Sequence, residues 1–327
     1  MIPEEEDRVR RELERRRGAL ENLVADRQDE SLVDLLRRVD VALERVDRAE
    51  WGLCTVCHEP IEQDLAVQDA LIQVCLGCLT PEARRALEDD LQGAARMQRG
   101  MLPRVDPGRD GWEVAWLWEP LGVVSGDHLD IVAPRSDGEP MQVLFGDVAG
   151  KGITASLLQS HLHALARALM AEPRPLGRIV EQINHLFCAA TAAASYATLI
   201  ALRLHPDGRM EMVNAGHPRA LLGDARGVRP IEGAGLPVGL FCEARYETRE
   251  IELSGGDVVF LYTDGWTEAV RDGEEFGIGR AASTLRKCRG DTVQGIVGRC
   301  REAMEEFLER GTRTDDLTLL AIRRGGG

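Results

Sequence analysis

Two groups of side chains in this 327-residue chain could hold metal. The first is cysteine. "CTVC" and "CLGC" place Cys54 and Cys57, then Cys75 and Cys78, as two C-x2-C pairs. Two close pairs can supply four thiolates to one tetrahedral zinc. The second is aspartate. "VVSGDHLDIV" holds Asp127 and Asp130, "LFGDVAGKG" holds Asp147, "LYTDG" holds Asp264, and "RTDDLTLL" holds Asp315 and Asp316. Each lies beside an apolar run that reads as a strand. One strand ending on Asp-Gly fits an ordinary turn. Four such carboxylates in one domain fit a shared pocket of hard oxygen ligands, which suits Mg2+ or Mn2+. Two such ions about 3.5–4 Å apart can activate a water and clamp a phosphoryl group.

Each group has a rival reading. Cys54-Thr-Val-Cys57-His58 also fits haem attachment, which needs export and leaves Cys75 and Cys78 without a role. "GDVAGKG" looks like a phosphate loop. However, Gly146 and Gly150 are one residue too close, and Gly152 stands where the magnesium-binding hydroxyl belongs. His161 and His163 lie in an apolar helical stretch and read as packing residues. Cys188, Cys242, Cys288 and Cys300 are scattered and read as free thiols acting as small hydrophobes.

The elements that position these groups follow from periodicity. Residues 4–50 carry apolar residues at helical spacing, among them Val9, Leu13 and Leu20, then Leu36, Val39, Leu43 and Val46. The break at "ADRQDES" predicts two helices in an antiparallel hairpin or coiled coil. Residues 51–80 are short, loop-rich and hold the cysteine pairs. Thr80-Pro81-Glu82 starts a further helix with a cap, a first-turn proline and an acid. Its apolar seam reads as Ala83, Leu87, Leu91, Ala94 and Met101, and Pro103 stops it. From Trp112 onward short strands alternate with glycine turns: "WEVAWLWEP", "MQVLFGDV", "ATLIALRL", "MEMVNAG", "VVFLYTDG" and "LTLLAIRR". Helical stretches at 153–170 and 176–190 lie between some of them. That texture fits an α/β or α+β domain.

The finger segment "ALERVDRAEWGLCTVCHEPIEQDLAVQDALIQVCLGC" resembles the DksA/TraR-type zinc finger. That resemblance implies one structural Zn2+ on Cys54, Cys57, Cys75 and Cys78. Members of that family also carry a helical hairpin whose acidic tip, D-x-x-D-x-A, enters RNA polymerase. Here Asp26, Asp29 and Ser31 stand at that spacing, so the last position departs. The tip reads better as a solvated turn, and polymerase remains an alternative partner. Further along, "VVSGDHLD", "FGDVAGKGITASL", "NAGHP", "GLPVGLF", "LYTDGWTEA" and "DDLTLL" occur in the order of the SpoIIE/RsbU-type phosphatases of the PPM (protein phosphatase 2C-like) superfamily. The helix "LEDDLQGAARMQRGMLPR" resembles the linker that commonly precedes that domain.

The second resemblance implies an αββα sandwich with two Mn2+ or Mg2+ ions between its sheets. It implies that Asp147 bridges both ions, with Asp264 and Asp315 completing the first site. Asp127 and the Val148 carbonyl serve the second. Whether Asp315 or Asp316 is the ligand stays open, and His217 is expected to shape a turn. The expected domains are a hairpin at 1–50, a finger at 51–80, a linker helix at 81–103 and a phosphatase at 104–327. The expected activity is metal-dependent serine/threonine phosphoprotein hydrolysis, with a phosphorylated STAS-type anti-sigma-factor antagonist as substrate. The alternative is a polymerase-associated or scaffold protein with a weak phosphatase domain.

Charge and hydropathy narrow the partners. A formal net charge of −15 leaves no basic footprint for nucleic acid or an anionic membrane. No apolar run reaches a membrane-spanning length, and the charged N-terminal stretch is unlike a signal peptide. The cytoplasm is therefore the expected compartment, where eight cysteines argue for metal or free thiols over a disulfide framework. The thin apolar stripe of the helical segments calls for a partner helix, so a homodimer is expected.

Overall fold

A computed structural model describes residues 3–26, 30–62, 70–103, 108–109, 111–134, 136, 138–191, 195–309, 311 and 313–326. The chain divides into two compact units, Met1–Asp90 and Leu91–Gly327.

In the first unit, helices α1 (Pro3–Asp26) and α2 (Glu30–Asp47) pack side by side. Arg10 pairs with Asp47 and Arg17 with Asp40, so α2 runs back along α1 as the predicted antiparallel hairpin. These exposed pairs fix register more than they stabilise. Val9, Leu13 and Leu20 meet Val39, Ala42 and Val46, and the same cluster takes in Trp51, Cys54, Ile61, Leu71 and Cys75. The Trp51 indole donates to the Ala70 carbonyl at 3.2 Å. The cysteine segment thus shares the hairpin's core. Asp29 and the side chain of Asp26 lie outside the described residues.

Helix α3 (Pro81–Met101) begins as its capping signal predicts: Ala83 N–H donates to Thr80 Oγ1 at 3.2 Å. Its seam differs from the expected one. Leu87 is exposed, whereas Ala95 and Gln98 are buried at 1% and 5% exposure. A glutamine escapes a search for apolar periodicity.

In the second unit, strand alternation sorts side chains onto two faces. Along β10 (Val258–Tyr262), Val259 and Leu261 join one apolar cluster, while Val258, Phe260 and Tyr262 join another. Along β4 (Met141–Val148), Met141, Val143 and Phe145 enter the first cluster, while Leu144 and Val148 enter a third. Each fully buried side chain of this kind contributes roughly 1.5–3 kcal/mol. Strands apolar on both faces need cover on both, and the fold supplies it as four layers.

One sheet runs β1 (Gly108–Arg109), β2 (Trp112–Glu119), β13 (Leu317–Arg324), β10, β7 (Leu221–Asp224) and β8 (Gly227–Pro230). The other runs β3 (Asp127–Val132), β4, β5 (Ala197–Leu204), β6 (Arg209–Ala215) and β9 (Arg249–Glu252). Neighbouring strands are antiparallel throughout. The first cluster fills the space between the sheets. Helices α4 (Gly152–Met170) and α5 (Leu176–Ala190) cover the β3–β9 sheet. A one-turn helix α6 (Asp264–Thr267) and a ribbon of β11 (Val270–Arg271) and β12 (Glu274–Glu275) follow β10. Helices α7 (Gly277–Cys288) and α8 (Val293–Leu308) cover the β1–β8 sheet. The expected αββα sandwich is present.

One expectation fails. Cys188, near the end of α5, and Cys242 form a disulfide with Cα atoms 5.8 Å apart. They are 54 residues apart in sequence, so spacing could not reveal the pair. Asn184 draws the 239–242 loop onto α5: its side chain donates to the Phe241 carbonyl at 2.8 Å and accepts from Gly239 N–H at 2.8 Å. Cys288 and Cys300 remain free and buried, as expected.

Candidate active site

Strand parity places the acids. Asp127 continues the inward series of Leu129 and Ile131 on β3, and Asp147 that of Met141, Val143 and Phe145 on β4. The register sets Asp127 opposite Asp147. Both carboxylates therefore enter the space between the sheets at one end of it. The facing sheet answers with Thr263, just past β10, and Thr318 of β13. Both hydroxyls donate to Asp127 Oδ2, Thr263 at 3.0 Å. The two threonines also bond each other's backbones: Thr263 N–H donates to the Thr318 carbonyl at 3.1 Å, and Thr318 N–H to Thr263 Oγ1 at 3.0 Å. Asp127, 3% exposed, is thereby held across the two sheets with its other oxygen free of them. Neither threonine stood out in the sequence, although each falls at an inward position beside a singled-out aspartate.

Parity removes Asp130 from this group. It lies on the opposite face of β3, fully buried, with Arg167 Nε at 2.8 Å. His163 of α4 lies on that side too, its Nδ1 4.0 Å from Asp130, so it belongs to this polar patch and not to simple packing. His161 does pack, its ring centroid 5.8 Å from that of Phe187.

Asp264 opens α6, so "TDG" is neither a hairpin turn nor a plain strand end. Glycine is required next to it. A Cβ on Gly265 would lie 1.9 Å from the Asp316 carbonyl oxygen, so only glycine lets the first turn of α6 rest on the Asp315–Asp316 backbone. The adjacent aspartates then part. Asp316 accepts from Leu121 N–H at 2.6 Å, Ser125 Oγ–H at 2.7 Å and Gly126 N–H at 3.0 Å. Asp315 pairs with Lys151 Nζ at 2.9 Å, and Lys151 also donates to the Thr314 carbonyl at 2.8 Å.

Crowding shows in the electrostatics. Burial pushes Asp147 up to about 7, and repulsion from Asp264, Asp315 and Asp316 adds to it. Burial also raises Asp127, with Asp147 next, and raises Asp264, with Asp315 next. Buried carboxylates that repel one another are the environment a divalent cation relieves. Glycine keeps the approach to two of these oxygens clear: a Cβ on Gly126 would crowd both Asp147 Oδ1 and the Val148 carbonyl oxygen at 3.0 Å. The donor set and the cradle fit a hard cation. Beside the acids a hollow of about 260 Å3 is lined by Leu121, Val123, Ile153, Lys151, Asp315 and Asp316. A larger one of about 600 Å3, lined by Pro134, Arg167, Arg203 and His205, lies at the far strand ends, away from this chemistry.

His217 ties the floor of the site together. Its Nε2–H donates to the Tyr262 carbonyl at 3.1 Å, and Nδ1 lies 2.8 Å from Thr198 Oγ1. Asn214 brackets its backbone at 2.8 and 3.0 Å, which is the expected turn. Burial pushes its pKa down to about 4, so it is neutral.

The four cysteines of the first unit also meet. Their sulfurs lie within 4.8 Å of one another. Backbone N–H groups of Val56 and Cys75 point at Cys54 Sγ at 3.4 and 3.3 Å, which favours a thiolate.

Residues 137–325 match the family model described as Stage II sporulation protein E (SpoIIE). Protein IcfG of Synechocystis is 22% identical over 265 residues, covering 72% of this chain and 41% of that protein. Phosphoserine phosphatase RsbU of Bacillus subtilis is 21% identical over 244 residues, covering 74% of this chain and 72% of that protein. The chain thus spans less than half of the first relative and most of the second. Among solved structures, the SiaA PP2C domain of Pseudomonas aeruginosa superposes with a TM-score of 0.63 at 21% identity, covering 74% of this chain and 98% of that one. The phosphatase domain and a regulatory fragment of SpoIIE from Bacillus subtilis superpose with a TM-score of 0.57 at 17% identity, covering 66% and 64%. These superpositions establish the PP2C-like fold.

Proposed function

Because the chain belongs to the SpoIIE family of metal-dependent serine/threonine protein phosphatases, we propose that it hydrolyses phosphoserine or phosphothreonine on a regulatory protein. The observation that carries this reading is the convergence of Asp127, Asp147, Asp264 and Asp315 from four chain segments on one end of the inter-sheet space. Asp147 would bridge two Mn2+ or Mg2+ ions. Asp264 and Asp315 would complete one site, and Asp127 with the Val148 carbonyl the other. Asp316 is already committed to three protein donors, which favours Asp315 as the ligand. When bound, the ions supply an activated water and charge neutralisation at phosphorus.

The chain's own groups do the rest. Thr263 and Thr318 hold Asp127 in one rotamer and leave Oδ1 free of those bonds. Asp316 closes the 121–126 loop over the end of β3. Lys151, exposed and paired with Asp315, stands where a phosphate dianion would approach. The apolar wall of the adjoining hollow, with Leu121, Val123 and Ile153, suits the residues flanking a phosphoserine.

The substrate we favour is a phosphorylated anti-sigma-factor antagonist of the STAS type. One of the named relatives, RsbU, is a phosphoserine phosphatase, which supports a phosphoserine target. The four thiols would hold one structural Zn2+ in the first unit. A homodimer through the helical segments is part of this reading, since Leu87 on α3 is exposed. Among the described residues no helix is long and apolar enough to cross a membrane. The deciding experiment is phosphate release from phosphorylated STAS proteins of the same cell, with and without Mn2+. Release that requires Mn2+ is expected. A chain that binds Mn2+ but releases nothing would favour a scaffold.

A further inference from the structure

One glutamine links α3 to the loop that carries the site. Gln98 is 5% exposed and sits on the last turns of the helix. Its Nε2 donates to the Ser125 carbonyl at 2.8 Å, and its Oε1 accepts from Ser125 N–H at 3.0 Å. One side-chain amide thus closes both backbone groups of a single residue, as a neighbouring strand would. The second Nε2 hydrogen reaches Gln159 Oε1 of α4 at 3.2 Å, and Gln159 Nε2 lies 3.0 Å from His128 Nδ1. Both hydrogens and the oxygen of the Gln98 amide are therefore committed, and in one sense only.

Ser125 is itself 1% exposed. Its hydroxyl donates to Asp316 Oδ2 at 2.7 Å and accepts from Asp127 N–H at 3.0 Å. Gly126, the next residue, faces Asp147 Oδ1 and the Val148 carbonyl. A shift of Ser125 would therefore move Asp127, Gly126 and Asp316 together.

We infer that Gln98 is a positioning residue for the second metal site, holding Ser125 so that Asp127 and the Gly126 cradle face Asp147. It touches neither substrate nor metal. The inference rests on the two-metal reading above. It differs from a packing role, because an alkyl side chain of the same size would fill the space and still release Ser125. Partners that orient ligands in this way typically change metal affinity by about 10–100-fold.

The test is direct Mn2+ binding by electron paramagnetic resonance on the full chain, for wild type, Gln98→Glu, Gln98→Met and Ser125→Ala. Glu keeps size and the acceptor but sets an oxygen against the Ser125 carbonyl and Gln159 Oε1. Gln98→Glu and Gln98→Met are expected to weaken the weaker-binding Mn2+ about tenfold or more. The Mn2+ concentration for half-maximal hydrolysis of p-nitrophenyl phosphate should rise in parallel, and kcat should recover at saturating Mn2+. Ser125→Ala, which keeps the backbone clamp and loses only the hydroxyl bridge, covers the case in which Gln98 variants fail to fold, and should weaken the same ion. Gln92→Glu, on an exposed position of the helix, is the control. Unchanged Mn2+ affinity in the folded variants, with only a lower melting temperature, would overturn the inference. Absence of Mn2+ binding in wild type would instead overturn the two-metal reading.

Discussion

The cysteine cluster of the first unit and the aspartate cluster of the second are built on opposite plans. Four sulfurs come from two short segments and close to within 4.8 Å around a core shared with a helical hairpin. The carboxylates come from β3, β4, α6 and the approach to β13, and they meet only because two sheets face each other. Soft, closed and local is the design of a structural metal. Hard, half-open and assembled is the design of a site that must admit a substrate and a water. Metal would play a different part in each unit: in one it would supplement a core too small to stand alone, in the other it would relieve charge that the fold itself has concentrated.

The sharpest way to break this contrast is Asp147→Asn. It removes one charge from the centre of the acid cluster and keeps the shape. Turnover of p-nitrophenyl phosphate with Mn2+ should fall about a thousandfold, since metal charge stabilisation is worth several kcal/mol. Turnover near wild type would mean that the carboxylates do not act through metal. Next comes the cysteine side. Elemental analysis should find one zinc per chain, and Cys57→Ser or Cys75→Ser should lose it. Circular dichroism should then show the hairpin helices melting, because metal binding and folding are one equilibrium in such a segment. Retained helicity without zinc would make the cluster an accessory and not a core.

A smaller effect is expected at His217. Its folded pKa of about 4 lies below the unfolded value, so the unfolded chain takes up a proton first on acidification. Stability is therefore present above about pH 6.5 and is lost as pH falls toward 4, by on the order of 3 kcal/mol. Asp147 and Asp264 titrate in the opposite sense, so the readout is the difference between wild type and His217→Asn in urea midpoints across that range. Equal slopes would show that the imidazole carries no such linkage. The smallest effect is reserved for α3. Leu87→Asp should shift the light-scattering mass from dimer to monomer and leave the unfolding free energy within about 0.5 kcal/mol of wild type, as exposed substitutions do. A monomeric wild type would leave Leu87 as ordinary exposed surface.

The contrast also explains what was legible. The cysteine spacing is local, and sequence alone places all four residues. The strands "MQVLFGDV", "ATLIALRL" and "LTLLAIRR" match β4, β5 and β13 end to end, because apolar runs buried on both faces are unambiguous. Strands β7 to β9 are four residues each, β8 and β9 partly exposed, and too short to carry such a signal. Asp127, Asp147, Asp264 and Asp315 were legible as a set through the family resemblance. Asp130 looked equivalent until strand parity turned it away. Thr263, Thr318 and Gln98 were not legible, since an inward threonine or a buried glutamine has meaning only once its partner across the fold is known. The Cys188–Cys242 pair was hidden for the same reason.

The bond from Thr318 to Asp127 spans 191 residues, and β13 inserts between β2 and β10 in the middle of its sheet. Contacts of such separation close late in folding, after the loop entropy between them has been lost. A nascent or clipped domain without β13 has a split sheet, an Asp127 without its Thr318 donor, and a Thr263 without the Thr318 backbone that holds it. On the proposed two-metal reading, the second metal site would therefore be complete only once β13 has joined the sheet.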